Sequence, residues 1–164
     1  MTILDLGSTN QFSETGTPLR SALGLAELET PFPWQEELLK RFVNDVPVGA
    51  VDIPTGLGKT SVMAIWLVAL VVGAKLPRRL VYVVDRRAVV DQATEVAERL
   101  REWVTKERFA SDALGLGDRP LPISTLRGQH IDNRAWLEDP SLPAIIVGTV
   151  DMVGSKPCLS AHAT

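Results

Sequence analysis

"VDIPTGLGKTSVMAIW", residues 51–66, decides how the rest of the chain is read. Val51, Asp52 and Ile53 close a short run, "VGAVDI", with the composition of a β-strand. Pro54 to Gly58 interrupts that run with proline, threonine and two glycines, the residues of a tight turn. Thr60 to Val72 then reads as a buried helix, too short an apolar run to span a bilayer, which takes about 20 residues. A strand, a glycine-rich turn and a helix in that order are how a parallel α/β sheet begins.

The flanks repeat the alternation. Upstream, "PWQEELLKRFVND" (33–45) places Trp34, Leu38, Phe42 and Val43 on one helical face, with Pro33 suited to the first turn. Downstream, "RRLVYVVD" (78–85) is a second strand, apolar throughout as befits one covered on both faces. "AVVDQATEVAERLREWV" (88–104) is a long amphipathic helix with Val90, Ala93, Ala97, Leu100 and Val104 inward. "GLGDRPLP" is a loop, "ISTL" (123–126) a third strand and "NRAWLEDP" (133–140) a short helix. "PAIIVGT" (143–149) is a fourth strand. The pattern predicts an α/β fold, a doubly wound parallel sheet with right-handed crossovers. Such sheets bind ligands at the carboxyl ends of their strands. "PTGLGKT", "DRR", "LRGQ" and "GTVD" all fall there.

Composition narrows the classes. The 164 residues are 45% hydrophobic and 23% charged, the profile of a globular chain. A net charge of −3 gives no global attraction to nucleic acid, so any such contact needs a local groove. The single cysteine, Cys158, excludes an internal disulfide and a cysteine-rich metal site, as expected in a reducing cytoplasm. "MTILDLGSTNQ" lacks the charged flank and apolar core of a secretory leader, so neither secretion nor a membrane anchor is expected.

The turn itself carries chemistry. Pro54, Thr55, Gly56, Leu57 and Gly58 form a loop whose backbone N–H groups point toward phosphate oxygens at the positive end of the next helix. Lys59 reaches the β- and γ-phosphates, and Thr60 offers a hydroxyl to Mg²⁺, so the expected ligand is ATP with Mg²⁺. The general phosphate-loop pattern requires glycine five residues before Gly58, where this chain has Ile53.

"PTGxGKT" is instead the form used by superfamily 2 (DEAD/DEAH-like) helicases, and the resemblance extends further. "PFPWQEELL", "DIPTGLGKT", "VYVVDRRAVVDQA", "ISTLRGQ" and "IIVGTVDMVGS" follow the order and spacing of that superfamily's motifs Q, I, Ia, Ib and Ic. The wording of "VVDRRAVVDQA" and "GTVDMVGS" looks most like the CRISPR-associated helicase–nuclease of type I systems. The resemblance implies that Gln35 hydrogen-bonds the adenine edge. Phe32 or Trp34 either stacks near the base or packs in the core. Arg86 and Arg87, Arg127 with Gly128, and Thr149 are implied backbone contacts to single-stranded DNA. For Arg86 and Arg87 the alternative is pairing with Asp91 and Glu95. A CRISPR surveillance complex is a further implied partner.

The resemblance also sets an expectation of incompleteness. Helicases of this class carry an Asp-Glu pair after another apolar strand, the aspartate on Mg²⁺ and the glutamate on the attacking water. No such pair follows "IIVGTVDMVGS". Asp85 and Asp151 each lack a glutamate neighbour, and His130 and His162 belong to no ligand cluster. The organisation the resemblance implies is an N-terminal extension (1–30), a partial RecA-like helicase ATP-binding domain of the P-loop NTPase class with an incomplete doubly wound sheet (31–155), and an atypical tail (156–164). The expected role is the ATP-binding part of a helicase, hydrolysing ATP poorly. The alternative is a non-catalytic module complemented by a separate chain.

Overall fold

The computed structural model describes residues 18–127, 130–132 and 139–151. The chain divides into two compact units, Met1–Leu76 and Pro77–Thr164.

The first unit is helical. Helix α1 covers residues 18–23 and stops at Gly24, whose φ of 67° is left-handed. The Arg20 guanidinium then holds the following turn by donating to the carbonyls of Ala26 and Glu27. Helix α2, Pro33–Val43, begins with proline, whose missing N–H costs nothing in a first turn. It buries Leu38 and Leu39, while Trp34, Phe42 and Val43 are half-buried. Helix α3, Val62–Val71, packs against α2. Every residue from Met63 to Leu70 is buried, as a helix apolar on all sides requires. A single 3₁₀ turn, Lys59–Ser61, leads into it, so the helix expected from Thr60 starts as a tighter coil.

The expected first strand is corrected. "VGAVDI" takes no strand conformation, and Val51 and Asp52 are exposed. A strand is stable only when its N–H and C=O groups meet a partner. Among the described residues, no backbone group pairs with residues 48–53.

The second unit holds the sheet: β1 (Arg79–Val84), β2 (Ile123–Arg127), β3 (His130–Asp132) and β4 (Ala144–Thr149). Their spatial order is β1-β4-β2-β3. Strands β1, β4 and β2 run parallel, and β3 is antiparallel to β2, a short edge strand absent from the sequence reading. The last strand in sequence thus sits between the first two, and all six of its residues are buried.

Helix α4, Arg87–Lys106, is the β1-to-β2 crossover and packs on β1, β4 and β2. Its buried residues are the expected Val90, Ala93, Ala97, Leu100 and Val104, joined by Trp103. The Thr94 hydroxyl lies 3.1 Å from that of Thr125, so α4 covers the face carrying Thr125, Ile145 and Val147. On the opposite face Ala144 and Ile146 pack with Val81 and Leu126. Gly148, beside Leu126, completes that face: a Cβ there would lie 3.0 Å from the Leu126 Cβ.

A further helix, α5 (Arg108–Leu114), follows α4 directly and was not expected from the sequence. Phe109 meets Trp103 edge-on at 6.1 Å, Gly115 ends the helix at φ 74°, and Arg78 Nη1 donates to the Leu114 carbonyl at 3.0 Å. The predicted helix 133–140 falls mostly on residues outside those described; Asp139 and Pro140 lie in a turn. Among the described residues no helix is long and apolar enough to cross a membrane.

Candidate nucleotide-binding site

The site begins with a run of amides. Gly56 and Gly58 have φ of 86° and 70°, a region costly for any residue bearing a Cβ. Between them the chain reverses and enters the 3₁₀ turn with Gly58 as its N-cap. Among the described residues, no group accepts a hydrogen bond from the amides of residues 55, 56 and 58–60, while Leu57 closes a turn back toward Pro54. Buried donors in such a state are rare, but these lie on exposed or half-exposed backbone, open to an exogenous acceptor. The Lys59 side chain is exposed and Thr60 half-buried, and neither has a side-chain partner among the described residues. Successive free N–H groups beside an ammonium and a hydroxyl are a donor set for a polyphosphate.

Helix α2 reaches this turn through one side chain. Gln35 is only 5% exposed, although its neighbours Glu36 and Glu37 are solvated. Its Oε1 accepts from the Phe32 amide at 2.9 Å, and its Nε2 donates to the Ser61 hydroxyl at 2.7 Å. Ser61 in turn donates to the Gly58 carbonyl at 2.6 Å. The Gln35 amide therefore abuts the phosphate loop, and a Cβ on Gly58 would lie 3.6 Å from Nε2. Phe32 is 46% exposed, and Trp34 is half-buried with its indole N–H enclosed and lacking an acceptor among the described residues. Ser61 was absent from the sequence reading. Its signal was available: it is the last polar residue before the apolar run Val62–Val72.

The metal donors are sparse. Thr60 fits a magnesium ion already chelated by phosphates, since Mg²⁺ takes few protein ligands and keeps several waters. Among the described residues, no cluster of three or more histidine, cysteine or acidic side chains exists.

In the second unit the parallel register gathers the other candidates at one sheet edge. Val84 pairs with Thr149, and Leu126 with Gly148, so residues 85–87, 127 and 150–151 all leave the carboxyl ends of adjacent strands. Asp85 and Arg86 form a 3.8 Å ion pair, with side chains 82% and 81% exposed. Arg87 opens α4 and is exposed. Thr149 is buried at the end of β4. Gly128, Cys158 and His162 lie outside the described residues. A network the sequence did not announce holds the chain entering β4. Asp139 accepts from the Ser141 hydroxyl at 2.6 Å, the Ser141 amide at 3.0 Å and Arg119 at 3.2 Å. The Ser141 hydrogen bonds, with Arg119 adding to them, hold the Asp139 carboxyl below its ordinary value.

An α/β sheet of parallel strands and a glycine-rich, lysine-bearing turn at a helix start define an incomplete RecA-like P-loop domain. The chain matches the family described as type III restriction enzyme, res subunit, over residues 29–151, and it belongs to that family. This is a superfamily 2 helicase N-terminal domain, placing the chain among the ATP-dependent nucleic-acid helicases. No curated protein and no solved structure matches the chain at a significant level.

Proposed function

We propose that this chain is the ATP-binding part of a CRISPR-associated DNA helicase, in which residues 54–60 hold the triphosphate. The observation that carries the reading is the run of amides at residues 58–60 with no acceptor among the described residues, beside the exposed Lys59 side chain. In this reading Lys59 neutralises the β- and γ-phosphates, Thr60 ligates Mg²⁺, and Gln35 reads the adenine edge with its remaining hydrogen and lone pair. Bound Mg²⁺ supplies charge neutralisation on the phosphates. The described residues place no Asp-Glu pair after an apolar strand, so hydrolysis by these 164 residues alone runs near background. Lys59→Ala removes a charge-assisted contact worth about 1.5–3 kcal/mol, so ATP affinity falls roughly 10- to 150-fold. Titration with a fluorescent ATP analogue measures it, and equal binding by the variant refutes the loop assignment.

DNA enters the proposal through the strand ends. The exposed Asp85–Arg86 pair is of the weak surface kind, so Arg86 can exchange its carboxylate for a DNA phosphate. Arg87, Arg127, Gly128 and Thr149 complete a backbone grip without base readout, which suits a motor that must accept any sequence. The CRISPR assignment rests on the wording of residues 83–93, 124–128 and 148–155, and co-purification with an RNA-guided surveillance complex tests it. A partner of the restriction-enzyme type captured in its place would redirect it.

A further inference from the structure

The sheet of the second unit ends on one side at β1, whose outer edge meets no strand among the described residues. We propose that this edge pairs antiparallel with the same edge of a second copy of the chain, joining the two sheets across a twofold axis at Tyr82.

The edge is poorly protected. Strand β4 is wholly buried, whereas every residue of β1 is half-buried or exposed, Val83 to 42%. Between Arg79 and Asp85 the chain reads Leu-Val-Tyr-Val-Val in unbroken register with β4, without the proline, charge or bulge that blunts a sheet edge. The Ala144 N–H donates to the Arg78 carbonyl at 2.9 Å. The alternation of a parallel ladder then turns the backbone groups of Leu80, Tyr82 and Val84 toward β4. Those of Val81 and Val83 point outward, and neither residue has an outward partner among the described residues.

Charge selects the occupant and the register. Arg79 and Asp85 bracket the edge with opposite signs. An antiparallel copy reverses that order and sets Arg79 against Asp85 of the second copy at both ends, whereas a parallel copy sets like against like. Only residues whose backbone groups face outward can bond across the seam. Val81 opposite Val83 meets that condition, and the same register aligns Arg79 with Asp85. These pairs share the face opposite α4, and β-branched and opposite-charge cross-strand pairs are favourable. Asp85 can take the new partner because its exposed 3.8 Å contact with Arg86 is weak. Space also allows the pairing. The two α4 helices lie on one face, each mainly over its own β4, three strand spacings or about 14 Å apart, beyond the roughly 8–10 Å of packed helices. The contact is isologous, so it closes at two copies.

Sedimentation of the whole chain over a roughly hundredfold range of concentration should show a monomer–dimer equilibrium and nothing larger. Val83→Pro removes an outward N–H that β1 does not use within its own sheet, so the dimer should be lost while the thermal midpoint of the monomer barely moves. Arg79→Asp and Asp85→Arg should each weaken self-association by about tenfold. An equimolar mixture of the two should restore it, because each variant then opposes its complement. In a Cys158→Ser background, Tyr82→Cys should cross-link on oxidation, since facing non-hydrogen-bonded residues lie about 4.5 Å apart at Cα, within disulfide reach. Leu80→Cys, which faces Val84, should not. A chain that stays monomeric at every concentration, as when a different polypeptide fills the edge, overturns the proposal. A dimer unchanged by Val83→Pro, or one that cross-links through Leu80 and not Tyr82, overturns it as well. Should Val83→Pro not fold, the charge mixture and the cross-link decide the matter.

Discussion

"VGAVDI" at 48–53 and "PAIIVGT" at 143–149 look alike as sequence and end in different structures. Both are short, apolar and followed by a loop that carries candidate site residues. The second becomes β4, wholly buried between β1 and β2 and bonded on both sides. The first stays outside any sheet, with Val51 43% exposed. The difference lies in the neighbours. A helix satisfies its own backbone, so α3 and α4 form where their residues favour them. A strand needs another strand, and the described chain supplies partners to one of these runs only. The phosphate loop is consequently positioned by a helix and the Gln35–Ser61–Gly58 chain, whereas the strand-end loops are positioned by a sheet.

The sharpest way to break the comparison is to truncate equivalent apolar residues in the two runs. Ile145→Ala, at a fully buried position, should cost about 2–5 kcal/mol. Val51→Ala should cost less than about 0.5 kcal/mol. Urea denaturation of both variants decides it, and equal losses would show that residues 48–53 are packed after all. Next in size is Gly148→Ala. The added methyl meets the Cβ of Leu126, the base of a side chain that cannot swing aside, and overpacking of this kind costs about 1–3 kcal/mol. A companion Leu126→Ala should recover part of that loss, since the two positions are direct partners in the β2–β4 register.

The smallest effect concerns the turn that feeds β4. Asp139 titrates below its ordinary value in the folded chain, so the unfolded chain binds its proton more readily. Its contribution is present above the ordinary carboxylate value of about 4 and is lost as pH falls toward the lower, folded value. Asp139→Asn should therefore be slightly less stable than wild type near neutrality, with the gap closing in acid. Denaturation midpoints at about pH 7 and pH 3 measure it, and a gap that widens in acid would reverse the sign.

Much was legible because it depends on local order. The 3.6-residue spacing of Val90, Ala93, Ala97, Leu100 and Val104 describes α4 without reference to anything distant. Two glycines before lysine and threonine announce a turn that only glycine enters cheaply. Helix α5 escaped the reading because seven residues carry too little periodicity, and it is held by Trp103, Arg78 and Gly115. Strand β3 escaped because three residues pair only once β2 is beside them.

By itself, then, the sequence determined helices α2, α3 and α4 and the glycine turn that precedes Lys59 and Thr60, since propensity and periodicity act within a few residues of chain. Tertiary structure alone decided which apolar run became a strand and that β4 lies between β1 and β2. It also decided that Gln35 faces Ser61, 26 residues away, and not solvent. Those outcomes rest on hydrogen-bond partners brought from afar, and a partner's presence is not written in the residues that need it.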